Sequence, residues 1–162
     1  MIHYKSAKYT VERPLQIGGL LAGADPALVA AYGAFGLPLG EAFQLRDDLL
    51  GVYGDPAVTG KPAGDDLREG KCTLLVAEAL DTCGGADARL LDELLGAPGM
   101  GVPEVELLRS VITRSGAPER VEARINALLH QALTALDDAP LHDQDARRAL
   151  HRLAGAATAR RY

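Results

Sequence analysis

Gln44, Asp47 and Asp48, in the run FQLRDDLLGVYGD, are the side chains of this sequence best placed to do chemistry. Helical spacing advances about 100° per residue, so residues three and four apart share one side. On that spacing Gln44, Asp47 and Asp48 form a single stripe, and Gly51 continues it one turn later. The rest of the run is mainly apolar: Ala42, Phe43, Leu45, Leu49, Leu50 and Val52. A helix apolar almost all round is buried, and a pair of like charges there is costly unless something compensates them. A divalent cation does so most directly. Two lysines follow, Lys61 in a Gly/Pro-rich loop and Lys71 at the expected start of the next helix. Carboxylates that hold Mg²⁺ beside lysines that hold anions are what a diphosphate needs.

The same stretch resembles the second aspartate-rich region of the trans-isoprenyl diphosphate synthases, the polyprenyl synthetase family. The match runs through Phe43, Gln44, Asp47, Asp48, Gly54, Asp55, Gly60, Lys61, Asp66, Leu67, Gly70, Lys71 and Thr73. Upstream, KSAKYTVERPL resembles the family's Lys-Thr element, with Lys5 at the lysine position and Ser6 at the threonine position. The resemblance implies an all-α bundle of the isoprenoid synthase type, with residues 1–162 as one domain forming its C-terminal half and the second aspartate-rich motif at 43–55. It implies Mg²⁺ on Asp47 and Asp48. It also implies an allylic diphosphate held by Lys5, Ser6, Gln44, Lys61 and Lys71, with Lys5, Ser6 and Gln44 closest to the reaction. The implied reaction is condensation of that allylic diphosphate with isopentenyl diphosphate, in a geranylgeranyl- or polyprenyl-type synthase.

Two departures matter. The family's first aspartate-rich motif, and the anion site upstream of it, have no counterpart in these 162 residues. The isolated chain is therefore expected to lack full activity, and to form a homodimer or associate with an N-terminal half or a full-length synthase. The alternative is a non-catalytic subunit or truncated product that associates with such a synthase. The second departure is Gly51, where the family pattern has a third aspartate. A cation here would lean on water or diphosphate oxygens. Gly51→Asp is expected to be tolerated and to strengthen Mg²⁺ binding.

Other candidates have plainer readings. Asp137-Asp138 reads as a solvated pair, Asp65 as solvated, and Asp55 as an Asx turn ahead of Pro56. Gly60-Lys61 is not a nucleotide loop: five residues separate Gly54 from Gly60, and Pro62 follows the lysine. Phe43 reads as core or cavity wall. His3, His130, His142 and His151 lack ligand spacing, and Cys72 and Cys83 read as reduced thiols.

The elements that must position these residues read as helices throughout. Ile2–Arg13 is ended or kinked by Pro14, and Leu15–Leu21 continues beyond it. Asp25-Pro26 starts a helix that runs from Ala27 to Leu50, with a break expected near Pro38. Its glycines, Gly33, Gly36 and Gly40, are expected at close contacts with another helix or a ligand chain. A long functional loop is expected over Gly51–Asp66, then a helix from Gly70 through Leu80. Helices Arg89–Leu95, Glu104–Ser115, Glu119–Leu136 and Asp143–Ala157 follow.

Composition narrows the function classes. A formal net charge of −5, from 17 Lys and Arg against 22 Asp and Glu, argues against a nucleic-acid partner. The N-terminus lacks the apolar core of a signal peptide, and the longest uncharged stretch, Pro26–Gly40, is too short to span a bilayer. A cytoplasmic protein, not an integral membrane one, is expected.

Overall fold

The computed structural model describes residues 3–60, 62 and 64–159, with the backbone alone for residues 3–6, 58 and 59. Every regular element among the described residues is helical. A π-type helix, His3–Glu12, leads into α1 (Arg13–Leu21), and the boundary falls where Pro14 occupies the first turn of α1. The helical backbone continues through the boundary, and Pro14 lacks the N–H that would carry on the ladder from the preceding turn. Then come α2 (Pro26–Tyr53), α3 (Pro56–Thr59), α4 (Asp65–Arg68), α5 (Leu74–Thr82) and α6 (Gly85–Leu94). The last three are α7 (Val102–Arg114), α8 (Ala117–Asp137) and α9 (Gln144–Thr158).

The chain divides into two compact units: Met1–Gln44 with Arg124–Arg160, and Leu45–Ala123 with Arg161–Tyr162. The first is centred on a cluster of Phe35, Leu39, Ala132, Leu136, Leu141 and Ala154. Its α2 glycines are sites of close approach. A Cβ on Gly40 would lie 2.5 Å from the Cα of Ala7, and one on Gly36 would lie 2.9 Å from the Cα of Glu12. The partner these glycines required is therefore the N-terminal helix of the same chain. In the second unit α7 packs against α4, α5 and α6, burying Val105, Leu108, Val111 and Ile112. That spacing, three, three and one, is the inward face of an amphipathic helix.

Three local expectations are corrected. The break near Pro38 is absent: α2 is continuous, with Pro38 inside it. The proline deprives the carbonyl of Ala34 of its donor, and Ala34 is exposed, so water can serve that carbonyl. The long loop over Gly51–Asp66 is not one loop. Helix α2 runs on to Tyr53, and Asp55 caps α3, its carboxylate accepting from the N–H of Ala57 at 2.8 Å. Lys71 does not begin the next helix either. Thr73 is the N-cap of α5, accepting from the N–H of Val76 at 3.3 Å, which leaves Lys71 in the preceding turn. Asp25 and Asp143 cap α2 and α9 as their sequence positions suggest.

Candidate functional site

The second half of α2 carries the acidic residues. Asp48 is 6% exposed, beside the buried Leu45, Leu49 and Val52, whereas Asp47 is exposed. Asp48 therefore carries the desolvation that the sequence assigned to the pair, and Asp47 keeps access to solvent. Gln44 lies on the same helix, in the first unit.

Gly51 is not an open position. A Cβ placed there would lie 2.1 Å from Oδ2 of Asp66 and 2.4 Å from its Cγ. The carboxylate of Asp66, itself only 8% exposed, therefore rests against the bare Cα of Gly51. This overturns the expectation that Gly51→Asp is tolerated: the space for a side chain at 51 already holds a carboxylate delivered from α4. Asp66 enters in the first turn of α4, and the chain reaches that turn through Gly64, with φ +73°. Any side chain at 64 would meet Cγ1 of Val105 at 2.3 Å.

Lys71 completes this cluster. Its ammonium lies 2.5 Å from Oδ1 of Asp66 and 2.8 Å from Oε2 of Glu69. The hydrogen bonds to Asp66 first and Glu69 second push its pKa well above the ordinary lysine range, so it stays cationic at any physiological pH. Lys71 is half-exposed and positioned by its two acids.

The opposite side of α2 is anchored. Arg46, 7% exposed, donates two hydrogen bonds to Glu122 of α8, Nη1 to Oε1 at 2.5 Å and Nη2 to Oε2 at 2.7 Å. At the C-terminal end of α2, Arg109 of α7 donates from Nε to the carbonyl of Val52 at 2.6 Å and from Nη1 to Glu106 at 2.6 Å. A cation at the last carbonyls of a helix satisfies acceptors that have no intrahelical donor. Beside it, the hydroxyls of Tyr53 and Thr113 are 3.0 Å apart.

The remaining sequence candidates fall as follows. The backbone of Lys5 and Ser6 belongs to the N-terminal π-type helix of the first unit, and Lys61 lies outside the described residues. Phe43 lines an apolar cavity of about 420 Å³ in the first unit, with Val11, Leu15, Phe35, Leu39 and Leu150. His130 and His142 are exposed, and both cysteines are free thiols. His151 sits 2.8 Å from Asp137. Among the described residues, no group of three acids, histidines or cysteines gathers closely enough to hold a metal. The donors present are hard carboxylate oxygens, which suit Mg²⁺ in kind but do not close its shell in number.

Sequence reasoning missed the contact of Asp66 with Gly51 and the pair of Arg46 with Glu122. The first had a faint signal, a glycine at an aspartate position followed by a second acidic pair. The second had a plainer one: Arg46 is a charge on the face of α2 opposite the acidic stripe, and a buried charge needs a partner.

The sequence model of the polyprenyl synthetase family matches residues 1–111, which include the acidic stretch of α2, Asp66 and Lys71. The chain belongs to the polyprenyl synthetase family. A geranylfarnesyl diphosphate synthase of Aeropyrum pernix is 38% identical over 143 residues, covering 88% of this chain and 44% of the relative. Component 2 of a heptaprenyl diphosphate synthase from Geobacillus stearothermophilus is 37% identical over 129 residues, 79% of this chain and 39% of the relative. Among solved structures, a geranylgeranyl pyrophosphate synthase of Corynebacterium glutamicum, complexed with isoprenyl diphosphate and magnesium, matches with a TM-score of 0.94 and 42% identity. That match covers 98% of this chain and 45% of the other. This polyprenyl synthetase chain thus spans less than half the length of these relatives. Among the described residues, no helix is long and apolar enough to cross a membrane.

Proposed function

We propose that this chain supplies the leaving-group side of a Mg²⁺-dependent prenyl transfer, in which an allylic diphosphate condenses with isopentenyl diphosphate. The observation that carries the reading is the placement of carboxylate and ammonium groups along one stretch of α2: Asp47 and Asp48 on the helix, and Asp66 against Gly51 with Lys71 bonded to it. Asp47 and Asp48 would hold Mg²⁺, and Lys5, Ser6, Gln44, Lys61 and Lys71 would contact the diphosphate. Bound Mg²⁺ supplies charge neutralisation for the departing diphosphate. As the allylic C–O bond breaks, negative charge grows on the leaving oxygens, and fixed cations aimed there stabilise it. Lys71 is suited to that task because its charge is permanent, and it can exchange a carboxylate partner for a phosphate oxygen of the same geometry. The double bond of isopentenyl diphosphate then attacks the allylic cation, and a proton is lost.

The 162 residues act in this reading as the C-terminal portion of a synthase domain and do not turn over alone, because the facing carboxylate cluster is not among them. Calorimetric titration tests the site: Mg²⁺ should bind weakly by itself and much more tightly with inorganic diphosphate, whose oxygens complete the shell. Asp47→Ala should abolish that synergy while leaving the helical content unchanged, alanine being a good helix former. Equal Mg²⁺ affinity with and without diphosphate would refute the site. Turnover of farnesyl or dimethylallyl diphosphate with isopentenyl diphosphate by the pure chain would refute its incompleteness.

A second reading, a non-catalytic subunit of a larger synthase, is favoured by the similarity to a relative named as one component of a heptaprenyl diphosphate synthase. Co-expression with the N-terminal half of a close relative separates the two. Asp47→Ala should lower turnover of the assembled protein if this chain is catalytic and leave it unchanged if the chain is a scaffold.

A further inference from the structure

We infer that Arg46 and Glu122 are positioning residues that set the rotation of α2 about its own axis, and with it the aim of Asp47 and Asp48. The inference rests on the proposed function, in which those aspartates hold Mg²⁺ beside diphosphate. Two residues along a helix turn it by about 200°, so Arg46 and Asp48 point to opposite sides of α2. Both are buried, at 7% and 6% exposure. The helix is thus enclosed on both sides at this level, and on the side away from Asp48 a bidentate ion pair stands among the buried apolar side chains of Ala42, Leu45 and Leu49.

That choice calls for a physical reason. A partly buried ion pair, here with side chains 9% and 30% exposed, is seldom the most stabilising option, since desolvation of the buried charge offsets much of the attraction, and well-packed apolar residues often do as well or better. What the pair offers is direction. Two parallel N–H···O bonds between a planar guanidinium and a planar carboxylate hold one geometry, whereas leucine-like contacts permit sliding. Angle matters here because a carboxylate sits about 5–6 Å from the helix axis, so a 20° rotation moves it by about 2 Å. Polar sites tolerate errors of only about 0.5 Å and 10–20°. Arg109, bonded to the Val52 carbonyl, fixes the C-terminal end of the same segment along its axis; Arg46 fixes its rotation.

The test compares the intact chain with two variants that keep its net charge, Arg46→Met/Glu122→Leu and Arg46→Lys. The first replaces the ion pair with apolar side chains, and the second keeps the charge but removes the fork. Each is measured by thermal melting and by calorimetric titration of Mg²⁺ in the presence of inorganic diphosphate. The apolar double variant should melt at or above the temperature of the parent and yet bind Mg²⁺-diphosphate about tenfold more weakly, the loss typical when the support behind a metal ligand is removed. Arg46→Lys should fold and show a smaller loss in the same direction. Because net charge is unchanged, neither loss can come from a change in overall charge. Parental affinity in the double variant overturns the inference, as does a loss that in both variants appears only with a lowered melting temperature. If the parent itself fails to bind Mg²⁺-diphosphate, the proposed function falls and the inference falls with it.

Discussion

Replacing Gly51 should destabilise the protein, although an exposed helix normally gains from losing a glycine. Gly→Ala in a helix interior stabilises by about 1 kcal/mol. Here the new Cβ would stand 2.1 Å from Oδ2, 2.4 Å from Cγ and 3.1 Å from Oδ1 of Asp66. The contact involves the carboxyl carbon as well as its tip, and aspartate is too short to swing aside without turning the whole group. Overpacking of this kind costs about 1–3 kcal/mol. Turning Asp66 also disrupts its bond to Lys71, but Lys71 has 46% of its side chain exposed, so that loss adds no more than about 1 kcal/mol. The net expectation for Gly51→Ala is a loss of about 1–2 kcal/mol, which for a chain of this size lowers Tm by about 3–6 °C. Gly51→Asp adds a like charge against a carboxylate that is 8% exposed and should lose more, without gaining Mg²⁺ affinity. Calorimetric melting of Gly51→Ala, Asp66→Ala and the double variant measures the coupling. Once Asp66 is shortened, the alanine at 51 should become neutral or stabilising, a non-additivity of at least about 1 kcal/mol. A Gly51→Asp protein that melts with the parent and binds Mg²⁺ more tightly would refute the packing argument.

Arg147→Ala should lower stability by about 2–4 kcal/mol by urea titration, because this one guanidinium donates to the carbonyls of Leu136, Asp137, Ala139 and Leu141 between α8 and α9. A change under about 0.5 kcal/mol would mean that water replaces it. Thr73→Ala should cost about 1 kcal/mol through loss of the α5 cap, while Thr73→Ser should stay near the parent. With a thiol reagent at mildly alkaline pH, Cys72, exposed, should react before Cys83, whose pKa is pushed up by burial first and by Asp87 second. A higher pKa means less thiolate and slower attack, so faster labelling of Cys83 would contradict that burial.

Local rules made much of this protein legible in its sequence. Caps and punctuation lie within the few residues they govern, so Asp25, Asp143 and the boundary at Pro14 placed α2, α9 and α1 to within a residue or two. The all-α class followed from apolar spacing, and the family from a motif whose residue types and intervals are both demanding. What only the tertiary structure decided involves residues brought together across distance. Pro38 looked like a break because its ring and missing N–H are local facts, yet the helix persists where Phe35 and Leu39 on either side of it are packed in the core. Gly51 read as an absence, a carboxylate missing from a stripe, and is a presence, the seat of the Asp66 carboxylate fifteen positions on. Likewise the partner of Arg46 is Glu122, 76 residues away and with 30% of its side chain exposed, which no spacing rule connects. Helical periodicity fixes which side a residue faces. Which charge awaits it there depends on how distant helices pack.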